Sequence, residues 1–136
     1  MPSSAEEKSG KTDWSVLQGV RILVVEDAWH VAKALKVVLE QLGMQVSGPA
    51  ATTEQAKRLL IDDKPDIAVV DINLRREQAF DLIEELHEQG VRVLVASGYT
   101  MPSLPQGRVA AMLQKPYSAA QLLSALRGMI GDVRKT

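Results

Sequence analysis

Five residues spread along the chain have types suited to one chemistry: Glu26, Asp27, Asp71, Ser97 and Lys115. Three carboxylates offer hard oxygen ligands to a divalent cation, while a hydroxyl and an ammonium can hold phosphoryl oxygens. Each stands at or just past the C-terminal end of an apolar run that reads as a buried strand. In a parallel sheet those ends lie side by side, so residues far apart in sequence converge at one edge. If the first and third strands are neighbours, Asp27 and Asp71 come close, and close carboxylates raise one another's pKa unless a cation separates them. A hard divalent ion, most naturally Mg2+, resolves the repulsion. The Asp71 carboxylate can then attack phosphorus in line and form an acyl phosphate, with metal and lysine neutralising charge on the transferring group. Water hydrolyses such an anhydride, so the expected device is a switch with a lifetime. It would catalyse its own phosphorylation and dephosphorylation without turning over a free substrate.

The elements that must position these groups alternate between strand and helix patterns. The strands read as Val20–Val25, a half-polar edge candidate Met44–Ser47, Ile67–Val70, Val91–Ala96 and Val109–Leu113. The first helix carries Val31, Ala34, Leu35, Val38 and Leu42 on one face and stops at Gly43. Thr52 with Gln55 starts the second as a capping box, and Pro65 follows its end. Ala79, Leu82, Ile83 and Leu86 face inward on the third. Ser118 with Gln121 starts the last, with Tyr117 able to pack on Leu122 and a buried face of Leu122, Leu123, Leu126 and Ile130. The pattern predicts an α/β fold with a doubly wound, five-stranded parallel sheet of flavodoxin-like form. Between Ser97 and Val109, Pro102 and Pro105 disfavour a regular helix, so the fourth helix is expected to be short or missing.

With 136 residues, 46% of them hydrophobic, the chain suits a single domain with a real core. The expected division is a polar tail over residues 1–18, a domain over 19–132 and a short tail over 133–136. Sixteen basic against seventeen acidic residues leave a net charge of −1, and no basic face is built for nucleic acid. The absence of cysteine excludes disulfides and thiol catalysis. No apolar segment reaches bilayer length and no leader is visible, so a cytoplasmic protein without membrane insertion is expected. Gly10-Lys11-Thr12 ends like a P-loop, but Ala5 stands where that motif needs glycine and no strand precedes it.

From about Val20 to Gly131 the chain resembles the response-regulator receiver domains of bacterial two-component signalling. The motifs are the acidic pair in VVEDA, the aspartate in AVVDINL, the small hydroxyl residue in VASGY and the lysine-proline in LQKPY. Singly they are weak; in order, at five matching strand ends, they are highly specific. The resemblance implies Asp71 as phosphoacceptor and Mg2+ held by Glu26, Asp27, Asp71 and the backbone carbonyl of Asn73. It implies Ser97 bonding the phosphoryl group, Lys115 pairing with it, and a cis bond before Pro116. Asn73 and Tyr99, two residues beyond Asp71 and Ser97, flank the acceptor and would tune the lifetime; Tyr99 reads equally as a ring covering the loop. A histidine kinase or histidine phosphotransfer protein would be the donor, and a downstream protein the receiver of the signal.

Departures from the pattern concern the switch. Many relatives carry a rotating aromatic three residues before the lysine, where this chain has Met112, which reads as core packing. The Asn73–Glu77 loop lacks the common Met-Pro turn. With the curtailed helix and Ser97-Gly98-Tyr99, this is similar to the atypical single-domain receivers of alphaproteobacteria, in which phosphorylation would order the Ser97–Arg108 segment. The competing expectation is a constitutive interaction module that keeps the fold without switching. A small-molecule phosphatase or flavin protein on the same fold has little support, since fold does not assign function. His30 and His87 read as surface histidines, Trp29 as a partner contact, a lid or a residue packed on the tail, and Arg75-Arg76 as a contact for an acidic partner.

Overall fold

The computed structural model describes residues 15–74, 77–98 and 109–135. A 3-10 turn over Ser15–Leu17 precedes β1 (Arg21–Val25), α1 (Trp29–Gln41), β2 (Gln45–Ala50), α2 (Thr53–Asp62) and β3 (Ile67–Asp71). A small antiparallel pair follows, β4 (Asn73–Leu74) with β5 (Glu77–Gln78). Then come α3 (Phe80–Glu88), β6 (Arg92–Ser97), β7 (Ala111–Gln114) and α4 (Ala119–Lys135). The main sheet has the order β2-β1-β3-β6-β7, and every neighbouring pair is parallel. The flavodoxin-like α/β reading of the sequence therefore holds. The expectation of a short or missing helix after β6 falls largely on residues 99–108, outside the described residues.

Parallel strands buried on both faces read as continuous apolar runs. β3 is buried along its whole length, and β1 and β6 are buried at every residue but the first. α2 and α3 cover one face through Ala56, Leu60, Leu82, Ile83 and Leu86. α1 and α4 cover the other through Leu35, Leu39, Leu122, Leu126 and Ile130. Leu17 is fully buried in that second layer, so the 3-10 turn packs onto the sheet domain. At the other end α4 runs on to Lys135, because no breaker follows Gly131. Among the described residues no helix is long and apolar enough to cross a membrane.

Capping proceeds as the side chains demand. The Gln55 amide donates to Thr52 Oγ1 at 3.1 Å, and the Gln121 amide donates to Ser118 Oγ at 3.0 Å. The Ser118 amide in turn donates to Gln121 Oε1 at 2.8 Å, closing a reciprocal box. Two inward faces differ from expectation. On α1 the buried stripe is Ala32, Leu35 and Leu39, while Val31 is exposed and lines a groove toward α4 with Ala34 and Val38. Of the expected face, Leu35 is buried and Leu42 packs on the core, while Ala32 and Leu39 take the remaining inward positions. Met112 is not core: it is 38% exposed. β7 is an edge strand whose Ala111 and Leu113 pack on the α1/α4 layer, so the alternation of the strand turns Met112 outward.

Candidate functional site

The strand order reverses at β1 and β3, and the crevice outside their carboxyl ends is where open α/β sheets bind ligands. Val25 pairs with Val70, so Glu26 and Asp71 leave the two strands at the same level. Asp71 pairs with Ala96, and Ser97 with Gln114, which carries the level across to Lys115. The Lys115 amide donates to the Ser97 carbonyl at 2.7 Å, and the Ile72 amide to the Ala96 carbonyl at 3.0 Å. The backbone thus fastens three loops at one edge before any side chain is considered.

The side chains then meet. Lys115 Nζ donates to Glu26 Oε1 at 2.8 Å and to Asp71 Oδ2 at 3.1 Å. The other Glu26 oxygen, Oε2, accepts from the Ala28 amide at 3.1 Å. Glu26, Asp71 and Ser97 are the buried polar side chains among the described residues. One carboxylate oxygen from each of Glu26, Asp27 and Asp71 lies within 4.8 Å of the others. Burial pushes the Glu26 carboxyl above its ordinary pKa; its bonds to Lys115 and Ala28 oppose this, and the Asp71 charge adds to it. For Lys115, burial works against the ammonium, but bonds and charges from Glu26 and Asp71 outweigh it and raise its pKa.

Three carboxylates against one ammonium leave surplus negative charge in a half-enclosed crevice. An all-oxygen donor set of this kind fits a hard divalent cation of the Mg2+ class. All five residues singled out by spacing come to this edge, although Asp27 is only half-buried. Asn73 follows Asp71 by two residues in β4. Tyr99, Arg75 and Arg76 lie outside the described residues. The Lys115–Pro116 peptide is cis. Trp29, 65% exposed, stacks edge-on with His30 and carries Lys33 Nζ 4.9 Å from its ring centre; it lines a small pocket together with Glu26 and Asp27.

Two contributors were not anticipated. Gly48 holds φ at +89°, and a Cβ there would lie 2.8 Å from the Ala50 nitrogen and 2.9 Å from the Val24 carbonyl. This glycine makes a bulge in β2, where the register slips between Leu23 and Val25. Beyond the bulge the Ala50 carbonyl accepts from the Glu26 amide at 2.9 Å, setting the acidic loop. A Gly-Pro pair inside a half-polar strand was the available signal. The second is the Tyr117 hydroxyl, buried beside the site rather than serving only as a packing staple.

The sequence matches the response regulator receiver domain family over residues 22–127. Chemotaxis protein CheY of Thermotoga maritima is 25% identical over 114 residues, covering 79% of this chain and 95% of CheY. The transcriptional regulatory protein DcuR of Escherichia coli K12 is 31% identical over 119 residues, covering 80% of this chain but 49% of DcuR. Among solved structures, a variant of the anti-anti-sigma factor PhyR from Bartonella quintana superimposes with a TM-score of 0.79 at 17% identity. It covers 95% of this chain and 55% of PhyR, a likeness of fold alone.

Proposed function

The chain belongs to the response regulator receiver domain family of two-component signalling, and we propose that within it Asp71 is the phosphoryl acceptor of a Mg2+-dependent switch. The observation that carries this reading is Lys115 bridging Glu26 and Asp71 at the edge where Asp27 supplies a third carboxylate. The unit that performs it is residues 19–132, with the Ser15–Leu17 turn packed onto it.

Glu26, Asp27, Asp71 and the Asn73 carbonyl would hold the ion, which supplies charge neutralisation and orients phosphoryl oxygens when bound. An Asp71 carboxylate oxygen attacks phosphorus of a phosphohistidine on a histidine kinase or histidine phosphotransfer protein. The P–N bond breaks and its electron pair leaves with the imidazole, which takes a proton. Lys115, already 3.1 Å from Asp71, is drawn toward the new phosphoryl oxygens, and the Ser97 hydroxyl donates to one of them. Water later hydrolyses the anhydride, with Tyr99 and Asn73 governing access. The output is contact with a downstream protein.

The competing reading is a constitutive module, favoured by the exposed Met112 where a rotating aromatic would stand. Beryllofluoride separates the two. With Mg2+ present it should shift amide resonances around Asp71, Ser97 and Lys115 in the wild type and not in Asp71→Asn. A wild-type spectrum without change would give the molecule to the constitutive reading.

A further inference from the structure

Tyr117 follows Lys115 by two residues and stands between two environments. One side of its ring packs on the layer formed by α1, α4 and the sheet. The other borders an open groove of about 770 Å3 between α1 and α4, whose walls include Val31, Ala34, Val38 and Leu122. Its hydroxyl is buried and has no hydrogen-bond partner among the described residues. Such groups are rare in folded proteins, because an unpaired buried donor bears its full desolvation cost. Burial pushes the hydroxyl's pKa up; the Lys115 charge lowers it while Glu26 and Asp71 add to the rise, which places the group in the field of the acidic cluster.

Lys115 holds Glu26 Oε1 in this state, so that carboxylate oxygen already has its donor. Resting on the acceptor role of Asp71, we propose that Tyr117 serves as the aromatic element of the switch. Its hydroxyl, orphaned while Lys115 bridges Glu26 and Asp71, gains a hydrogen bond when Lys115 is drawn onto the group bound at Asp71. The groove gives the ring room to move; its walls are mostly apolar, with His30 and Lys115 among them, and in this state neither bonds the hydroxyl. Met112, exposed on the edge strand and without a polar group, is left out of this coupling. The acidic site and the α1–α4 groove are thereby linked: what binds at Asp71 changes the shape of the groove.

An orphan hydroxyl at rest that is satisfied in the bound state makes a definite linkage. Removing it leaves the resting state no less stable and weakens the bound state. Tyr117→Phe keeps the ring and removes only the oxygen. The resting variant should melt no lower than the wild type, while half-saturating beryllofluoride with Mg2+ should rise on the order of ten-fold. The Tyr117 ring resonance, assigned by its loss in the variant, should shift when the wild type is saturated. A variant that melts lower at rest, or that binds beryllofluoride as the wild type does, overturns this role. A wild type indifferent to beryllofluoride overturns the acceptor reading beneath it, and the role of Tyr117 falls with it.

Discussion

Lys115 is the side chain on which the resting site balances, because it is the cation that two buried carboxylates share. Lys115→Ala leaves Glu26 buried without its counter-charge and should destabilise the fold by about 3 kcal/mol, the lower end for a broken buried pair. The low end is appropriate because the lysine side chain is 25% exposed and water reaches it. Thermal melts at pH 8 and pH 5 check this: the loss should shrink in acid, where Glu26 takes up a proton. Asp71→Asn works the other way, relieving repulsion with Glu26, and should melt at or above the wild type. The pH dependence has a fixed sign. Glu26, raised by burial, binds its proton above the ordinary carboxylate range, so its ionised form costs stability at neutral pH and that cost is relieved on acidification. Mg2+ affinity should therefore decline at a higher pH than for exposed carboxylates, measurable by calorimetric titration. Lys115, raised by its carboxylates, contributes stability below the ordinary lysine range and loses it as pH climbs through the raised value.

Elements place these groups, and some of that placement was visible before the structure. Val and Ile runs ending in acids marked β1 and β3, and the capping pairs Thr52–Gln55 and Ser118–Gln121 marked two helix starts, because local chemistry decides both. The α1 face is legible only in part. Leu35 and Leu42 pack inward as their spacing suggests, but Val31, Ala34 and Val38 satisfy helical spacing as well as Ala32 and Leu39 do, and tertiary packing chooses between them. Met112 misled for a related reason: hydrophobicity reports that a strand is apolar, not that the strand lies at an edge. Gly48 falls one residue past the expected strand Met44–Ser47, where a Gly-Pro pair reads as a strand end, whereas the strand runs on to Ala50. Its positive φ and the crowding around its missing Cβ make Gly48→Ala a test of the bulge. That substitution should cost about 1–3 kcal/mol and also weaken Mg2+ binding, since the Ala50 carbonyl would no longer hold the Glu26 amide. A variant destabilised with unchanged Mg2+ affinity would separate the bulge from the site.

At the scale of the whole molecule, one topological fact explains why a reading of separate motifs succeeded. The order β2-β1-β3-β6-β7 puts the ends of β1, β3, β6 and β7 in one row, and each end carries one or two of the five residues. Strand direction and right-handed crossovers make that row nearly unavoidable once the alternation of strands and helices is recognised. Beyond the local capping pairs, hydrogen-bond partners are less legible, because they depend on distances fixed by packing; the Glu26 share of Lys115 and the isolation of the Tyr117 hydroxyl are both of this kind. The central claim is that the row exists to carry a phosphoryl group on Asp71. Its most direct test is the intact mass of the protein after incubation with acetyl phosphate and Mg2+, beside Asp71→Asn. One added phosphoryl group is expected on the wild type, absent from the variant and absent when Mg2+ is withheld. An adduct that persists in Asp71→Asn, or that forms equally without Mg2+, would contradict the account.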